Sequence, residues 1–171
     1  MVVTLAYFTY DNFQSEYSRR EKISSFINVL SSQYGKVAER WNDASYEAGR
    51  IIQGEGGAGG TLPPGLDLAA VAIRKELIEA EKNNKNLEVP EYPEAEDVMK
   101  AHNDLMSSFG KFLNKPYQKF ISESKNTPAI LLRRNWLDLL NEFEQSGINQ
   151  KSYAVQRAKK NLAKKFGVTF R

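Results

Sequence analysis

The sequence predicts an all-α fold, a single helical domain over residues 1–171 built as a bundle of four or five helices with a long first helix, a Gly/Pro-rich loop and a basic C-terminal helix. Three observations carry that expectation. Apolar residues from Ile23 to Ile52 recur at steps of three, four and one, the spacing that keeps them on one stripe of a 3.6-residue helix. The same spacing returns in later segments separated by Gly- and Pro-containing stretches. Strand-like character is confined to the two ends, Val2–Leu5 and Val168–Arg171, which are expected to be extended and to pair as a small ribbon or lie on neighbouring molecules.

The first helix is expected over residues 15 to 53, with Ile23, Phe26, Ile27, Leu30, Val37 and Trp41 among its inward residues and with Gly35 and Gly49 as sites of close helix approach or bending. Residues 1–12 precede it as an apolar arm, rich in Tyr7, Phe8 and Tyr10 and followed by Phe13 and Tyr17. Such an arm needs a surface to cover, on its own bundle or in a groove of a neighbour. Gly54 to Gly60 then stop the helix. That stretch lacks the Lys-Ser/Thr of a Walker loop and the preceding strand of a dinucleotide fingerprint, so it reads as a connector.

Helix two is expected from Asp67, as N-cap, to about Lys82, with Ala70, Ile73, Leu77 and Ala80 inward. Pro90 and Pro93 make the next linker extended. Helix three follows, with Glu94, Glu96 and Asp97 against the positive end of its dipole, a stripe running from Val98 to Phe112, and a break at Pro116. Thr127 and Pro128 read as N-cap and first residue of helix four, which buries Leu132, Trp136, Leu139, Leu140 and Phe143 and closes at Gly147. Helix five runs from near Asn149 to Phe166, with Gly167 beyond its end.

Charge is distributed unevenly along this frame. The last acid is Glu144, and the 27 residues after it hold seven Lys and Arg. Subtracting those from the 24 bases leaves 17 against 21 acids, so residues 1–144 sum to −4 and the tail to +7. The usual partner of a concentrated basic segment is a polyanion. In the basic segment, residues 148–171, Val155, Ala158, Leu162 and Phe166 fall on one side of the helix, and Arg157, Lys160 and Lys164 align with Tyr153 on the other. Lys151, Lys159 and Lys165 widen the patch. Successive ridge charges rise by roughly 4.5 to 6 Å, close to phosphate spacing along a strand, so backbone contact without specific base reading is the expectation. An alternative reading makes the ridge a solvated face that keeps the protein soluble.

Catalytic chemistry finds little support. The chain has no cysteine, one histidine, His102, with no second nitrogen ligand for a typical zinc site, no E-x-x-H pair and no G-x-S-x-G. Glu76 with Glu79, and Asp138 with Glu142, read as hydrated faces or ordinary ion pairs. Neither a catalytic residue, a metal site nor a cofactor is expected. The first ten residues are apolar without the features of a signal peptide and are about half the length of a membrane span, so an intracellular or virion location is expected.

No family motif is matched. In architecture alone, a helical bundle with a basic segment and apolar termini resembles coat and packaging proteins of filamentous or rod-shaped viruses, and equally many unrelated bundles. The reading that follows is a non-enzymatic structural protein that binds nucleic-acid backbone and self-assembles through its N-terminal arm. Two rivals stand beside it: a protein-interaction adaptor using the faces of the long helix, and a peripheral membrane-surface protein inserting Leu162 and Phe166 between anionic lipids.

Overall fold

Val2–Ile52 form one continuous helix of 51 residues, α1, in a computed structural model whose described residues are 2–52, 64–124 and 127–169. At 1.5 Å per residue it spans about 75 Å. The helix begins well before residue 15, so residues 2–12 of the expected arm are its first turns, and the expected strand at Val2–Leu5 is helical. Valine costs only tenths of a kcal/mol in a helix, a preference that continuity with a long helix overrides. A ribbon between the termini is thereby excluded. Val168 and Thr169 lie beyond the last helix without strand structure, and Phe170 and Arg171 fall outside the described residues.

The predicted stripe of α1 is the buried one, from Ile23 through Trp41 to Ala48. A Cβ placed on Gly35 or Gly49 would meet no atom of the described residues within 4 Å, so neither marks a close approach among them. The glycine-rich connector at 54–60 lies outside the described residues. Helix α2 (Pro64–Asn86) starts earlier than expected, because the fixed φ of Pro64 suits a first helical position and Asp67 then sits in the first turn instead of capping it.

Helix α3 (Pro93–Phe112) opens after an extended Tyr92 with Glu94 and Glu96 in its first turn. Pro116 does not break it. A π-helical turn, Leu113–Tyr117, widens the coil around the missing N–H and the crowding pyrrolidine ring, and the chain continues into α4 (Gln118–Ser124). Pro128, with extended backbone, is the N-cap of α5 (Ala129–Gln145), and the Thr127 hydroxyl donates back to the Glu123 carbonyl instead of capping forward. Gly147 takes φ 72° between α5 and α6 (Ile148–Phe166). Gly167, at φ 61°, ends α6 in a Schellman arrangement, with the Val168 N–H donating to the Ala163 carbonyl at 2.9 Å.

Among the described residues all regular structure is helical. Helix α2 packs chiefly on α1, and α6 on α3. The interior divides into two apolar clusters. One gathers Trp41, Phe109, Phe112, Tyr117 and Trp136 with Ile148 and Val155; the other gathers Phe26, Leu30, Val98 and Leu162 with their neighbours. Trp41 is the hub of the first, its ring stacked on Phe143 at 4.6 Å and edge-on to Phe112 at 5.2 Å. Trp41, Trp136, Phe109, Phe112 and Phe143 are thus packing anchors.

Between the clusters, three helices present polar side chains at one level. On α1 the change from one cluster to the other falls at Ser31 and Gln33, on α3 at His102, and on α6 at Lys159. This polar layer sits directly behind the outer face of α6.

Candidate nucleic-acid interface

Helix α6 is anchored by one face and free on the other. Ile148, Val155, Leu162 and Ala163 are buried against α3 and α1, and this orients the opposite stripe outward. That stripe holds Tyr153, which is 77% exposed, followed by Arg157, Lys160 and Lys164, all exposed. Helix α6 carries no acid of its own, and none of these three bases pairs with a carboxylate among the described residues. From Arg157 to Lys164 the charges run about 10 Å along the helix.

The three remaining candidates are not all placed alike. Lys165 pairs with Glu94 at the start of α3 and lies 5.7 Å from the centre of the Phe166 ring, so much of its charge is already engaged. Lys151 is half-buried and donates to the Ser108 hydroxyl of α3. Lys159 departs furthest from expectation, being 0% exposed and unable to touch a ligand at the surface. The spacing already carried this information. Lys159 is four residues from both Val155 and Ala163, near the middle of the apolar arc, so it is a core position occupied by a lysine.

Inside the polar layer, Lys159 Nζ donates to Ser31 Oγ at 2.9 Å, and Ser31 donates in turn to the Ile27 carbonyl at 2.8 Å. His102, also 0% exposed, has Nε2 2.9 Å from Gln33 Oε1. Its Nδ1 and the Gln33 Nε2 have no partner among the described residues. Burial pushes the His102 pKa down from 6.5 to about 4, with the nearby Lys159 charge adding to the effect, so the ring is neutral near pH 7. Burial also lowers Lys159 from 10.5 to about 8. The lone histidine is therefore a core residue. The described residues contain no group of three His, Asp or Glu able to hold a metal.

Leu162 is fully buried, and Phe166 is half-buried against Tyr92 with ring centres 4.5 Å apart. Of the two residues that the membrane reading places in lipid, Leu162 is thus inside the bundle and Phe166 partly covered. No helix among the described residues is long and apolar enough to cross a membrane.

A second basic feature is not visible in the sequence. Arg74 and Lys85 on α2, with Lys111 on α3 and Lys115 in the π turn, rim a groove between these elements. Those bases are dispersed over some forty positions among acids, and only the pairing of α2 with α3 brings them together. Compared with protein-family models, curated proteins and solved structures, the chain matches none.

Proposed function

We propose that the protein is a non-enzymatic structural protein, a helical bundle that binds nucleic-acid backbone through the outer face of α6 and assembles with copies of itself in the manner of a coat or packaging protein. The observation that supports binding is the stripe of Arg157, Lys160 and Lys164, exposed and unpaired among the described residues on a helix whose other face is fixed in the core. Tyr153 at the same stripe offers a hydroxyl to phosphate or a ring to an unstacked base. Lys151 and Lys165 flank the stripe, and Lys159 positions it from behind. Three point charges on a rigid helix suit phosphates and carry little base-edge information.

The test is fluorescence anisotropy of labelled single- and double-stranded DNA and RNA titrated across salt, comparing wild type with Lys160→Gln/Lys164→Gln. Binding that weakens with salt is expected, with the slope of log K against log salt reduced by about 0.7 to 0.9 for each phosphate that the variant no longer neutralises. Absence of binding at low salt, or an unchanged slope in the variant, would overturn the reading.

A further inference from the structure

We propose that the groove between α2 and α3 seats the N-terminal part of α1, residues 2–18, from a second copy of this chain. The inference rests on the self-assembly half of the proposed function and is independent of nucleic-acid binding.

The groove encloses about 990 Å³ and combines an apolar floor of Leu77, Met106 and Leu113 with the basic rim of Arg74, Lys85, Lys111 and Lys115. Among the described residues Glu81 is the one acid lining it, and it pairs with Lys85 at 3.0 Å, so the remaining rim is cationic. Ile78, 62% exposed, extends the apolar floor to the surface. Gly110 forms part of the wall. A glycine in a helix interior costs up to ~1 kcal/mol relative to alanine, and a Cβ at Gly110 would meet no atom of the described residues within 4 Å, so no packing among them requires it. Its bare backbone leaves room for another helix to approach closely.

The proposed occupant is complementary in character and in length. Residues 2–18 include Val2, Val3, Leu5, Phe8 and Phe13 among other apolar residues, with Asp11 and Glu16 as their acids and no Lys or Arg before Arg19. They are helical, and at 1.5 Å per residue they extend about 24 Å. The groove from Asn103 to Lys115 runs about 18 Å. Among the α1 residues whose burial is described, residues 14–22 are all exposed and the first buried one is Ile23. A helix this apolar at its start is one that is normally covered.

Its own groove is out of reach. Lys36 on α1 pairs with Glu79 on α2 at 3.8 Å, and Lys22 pairs with Glu88, three residues past the groove's Lys85, at 3.4 Å, so the groove runs beside α1 on the C-terminal side of Lys22. Residues 2–18 continue the same unbroken helix past that end and do not fold back onto the groove. Donor and acceptor surfaces on one chain are therefore different, so the association is heterologous: each copy gives its helix to one neighbour and receives one from another. Repetition of such an association builds a ring or an open filament.

The experiment measures mass by light scattering, without nucleic acid, on the wild-type chain, a variant lacking residues 2–13, and Gly110→Leu, which places a bulky side chain in the groove at a position where a Cβ has space. Circular dichroism checks that each variant stays helical. Wild type is expected to assemble with rising concentration and each variant to remain monomeric. Mixing the two variants is expected to give a 1:1 complex, because the groove-filled copy keeps its helix and the shortened copy keeps its groove. A monomeric wild type would overturn self-assembly altogether. Assembly of Gly110→Leu like wild type, or a mixture that stays monomeric, would overturn this mode of association while leaving the α6 reading untouched.

Discussion

Lys159 on α6 and Ser31 on α1 are joined by a 2.9 Å hydrogen bond in the interior, with the lysine 0% exposed and no carboxylate paired with it among the described residues. Taking an ammonium out of water is costly, and one hydroxyl repays only part of that cost. The bond does fix the position of α6 along α1. With apolar clusters above and below the polar layer, sliding α6 by one turn would move Lys159 among leucines and phenylalanines. The outward stripe of Arg157, Lys160 and Lys164 is therefore held in place by a cation on the inward side of the same helix.

The Lys159→Met variant is expected to be more stable than wild type by about 1 to 3 kcal/mol, since an apolar side chain of similar length removes the desolvation cost without leaving a cavity. Ser31→Ala is expected to destabilise by about 1 to 3 kcal/mol because it strips the ammonium of its partner. In the double variant the serine substitution should cost far less, as the charge it served is gone. Urea unfolding of the four proteins measures all three quantities. Additive effects would show that the two residues do not act on one another.

Stability should also depend on pH in two windows. The folded pKa of Lys159 is about 8 against a usual 10.5, so between these values the unfolded chain holds the extra proton and stability rises with pH. His102 lies at about 4 against 6.5, and its contribution is present above 6.5 and lost as pH falls through 4. Chemical unfolding across pH should show gains over both intervals. Lys159→Met should abolish the alkaline gain and leave most of the acid loss, while a His102→Gln variant should reverse that pattern.

The Trp41 ring, stacked on Phe143 and edge-on to Phe112, joins α1 to α5 and α3. Trp41→Ala is expected to cost about 3 to 5 kcal/mol, within reach of unfolding a domain of this size. Thermal unfolding checks this. A loss under about 1 kcal/mol would mean that the aromatic cluster repacks around the gap.

The apolar stripes of α1, α3, α5 and α6 were legible because hydrophobic spacing is a local property and each helix is long enough to repeat it. Helix starts were less so. Pro64, Pro128 and the π turn at Pro116 show that local proline rules place a disturbance well and its outcome poorly, because neighbouring packing decides whether a helix ends, caps or widens. The burial of Lys159 and His102 was obscured for another reason. Both lie at the centre of an apolar arc, but following only the apolar letters passes over the polar residue between them. The groove at Gly110 could not be read at all, since α2 and α3 must first be paired.

Placement of the cations yields a graded prediction for nucleic-acid binding. Arg157, Lys160 and Lys164 each face water without an acid partner among the described residues, so neutralising any one should lower the salt slope by about 0.7 to 0.9. Lys165→Gln should lower it less, because Glu94 already balances that charge in the free protein and must be released on binding. Lys159→Met should leave the slope unchanged, since its ammonium lies behind the helix and never meets a phosphate. The Lys159 variant separates local binding from net charge: both readings predict weaker binding for the ridge variants, but only a net-charge effect would move the slope when the buried lysine is removed. Equal slope changes across all five variants, measured by anisotropy over one salt series, would show that the protein is attracted as a diffuse cation and that the α6 stripe has no special place in binding.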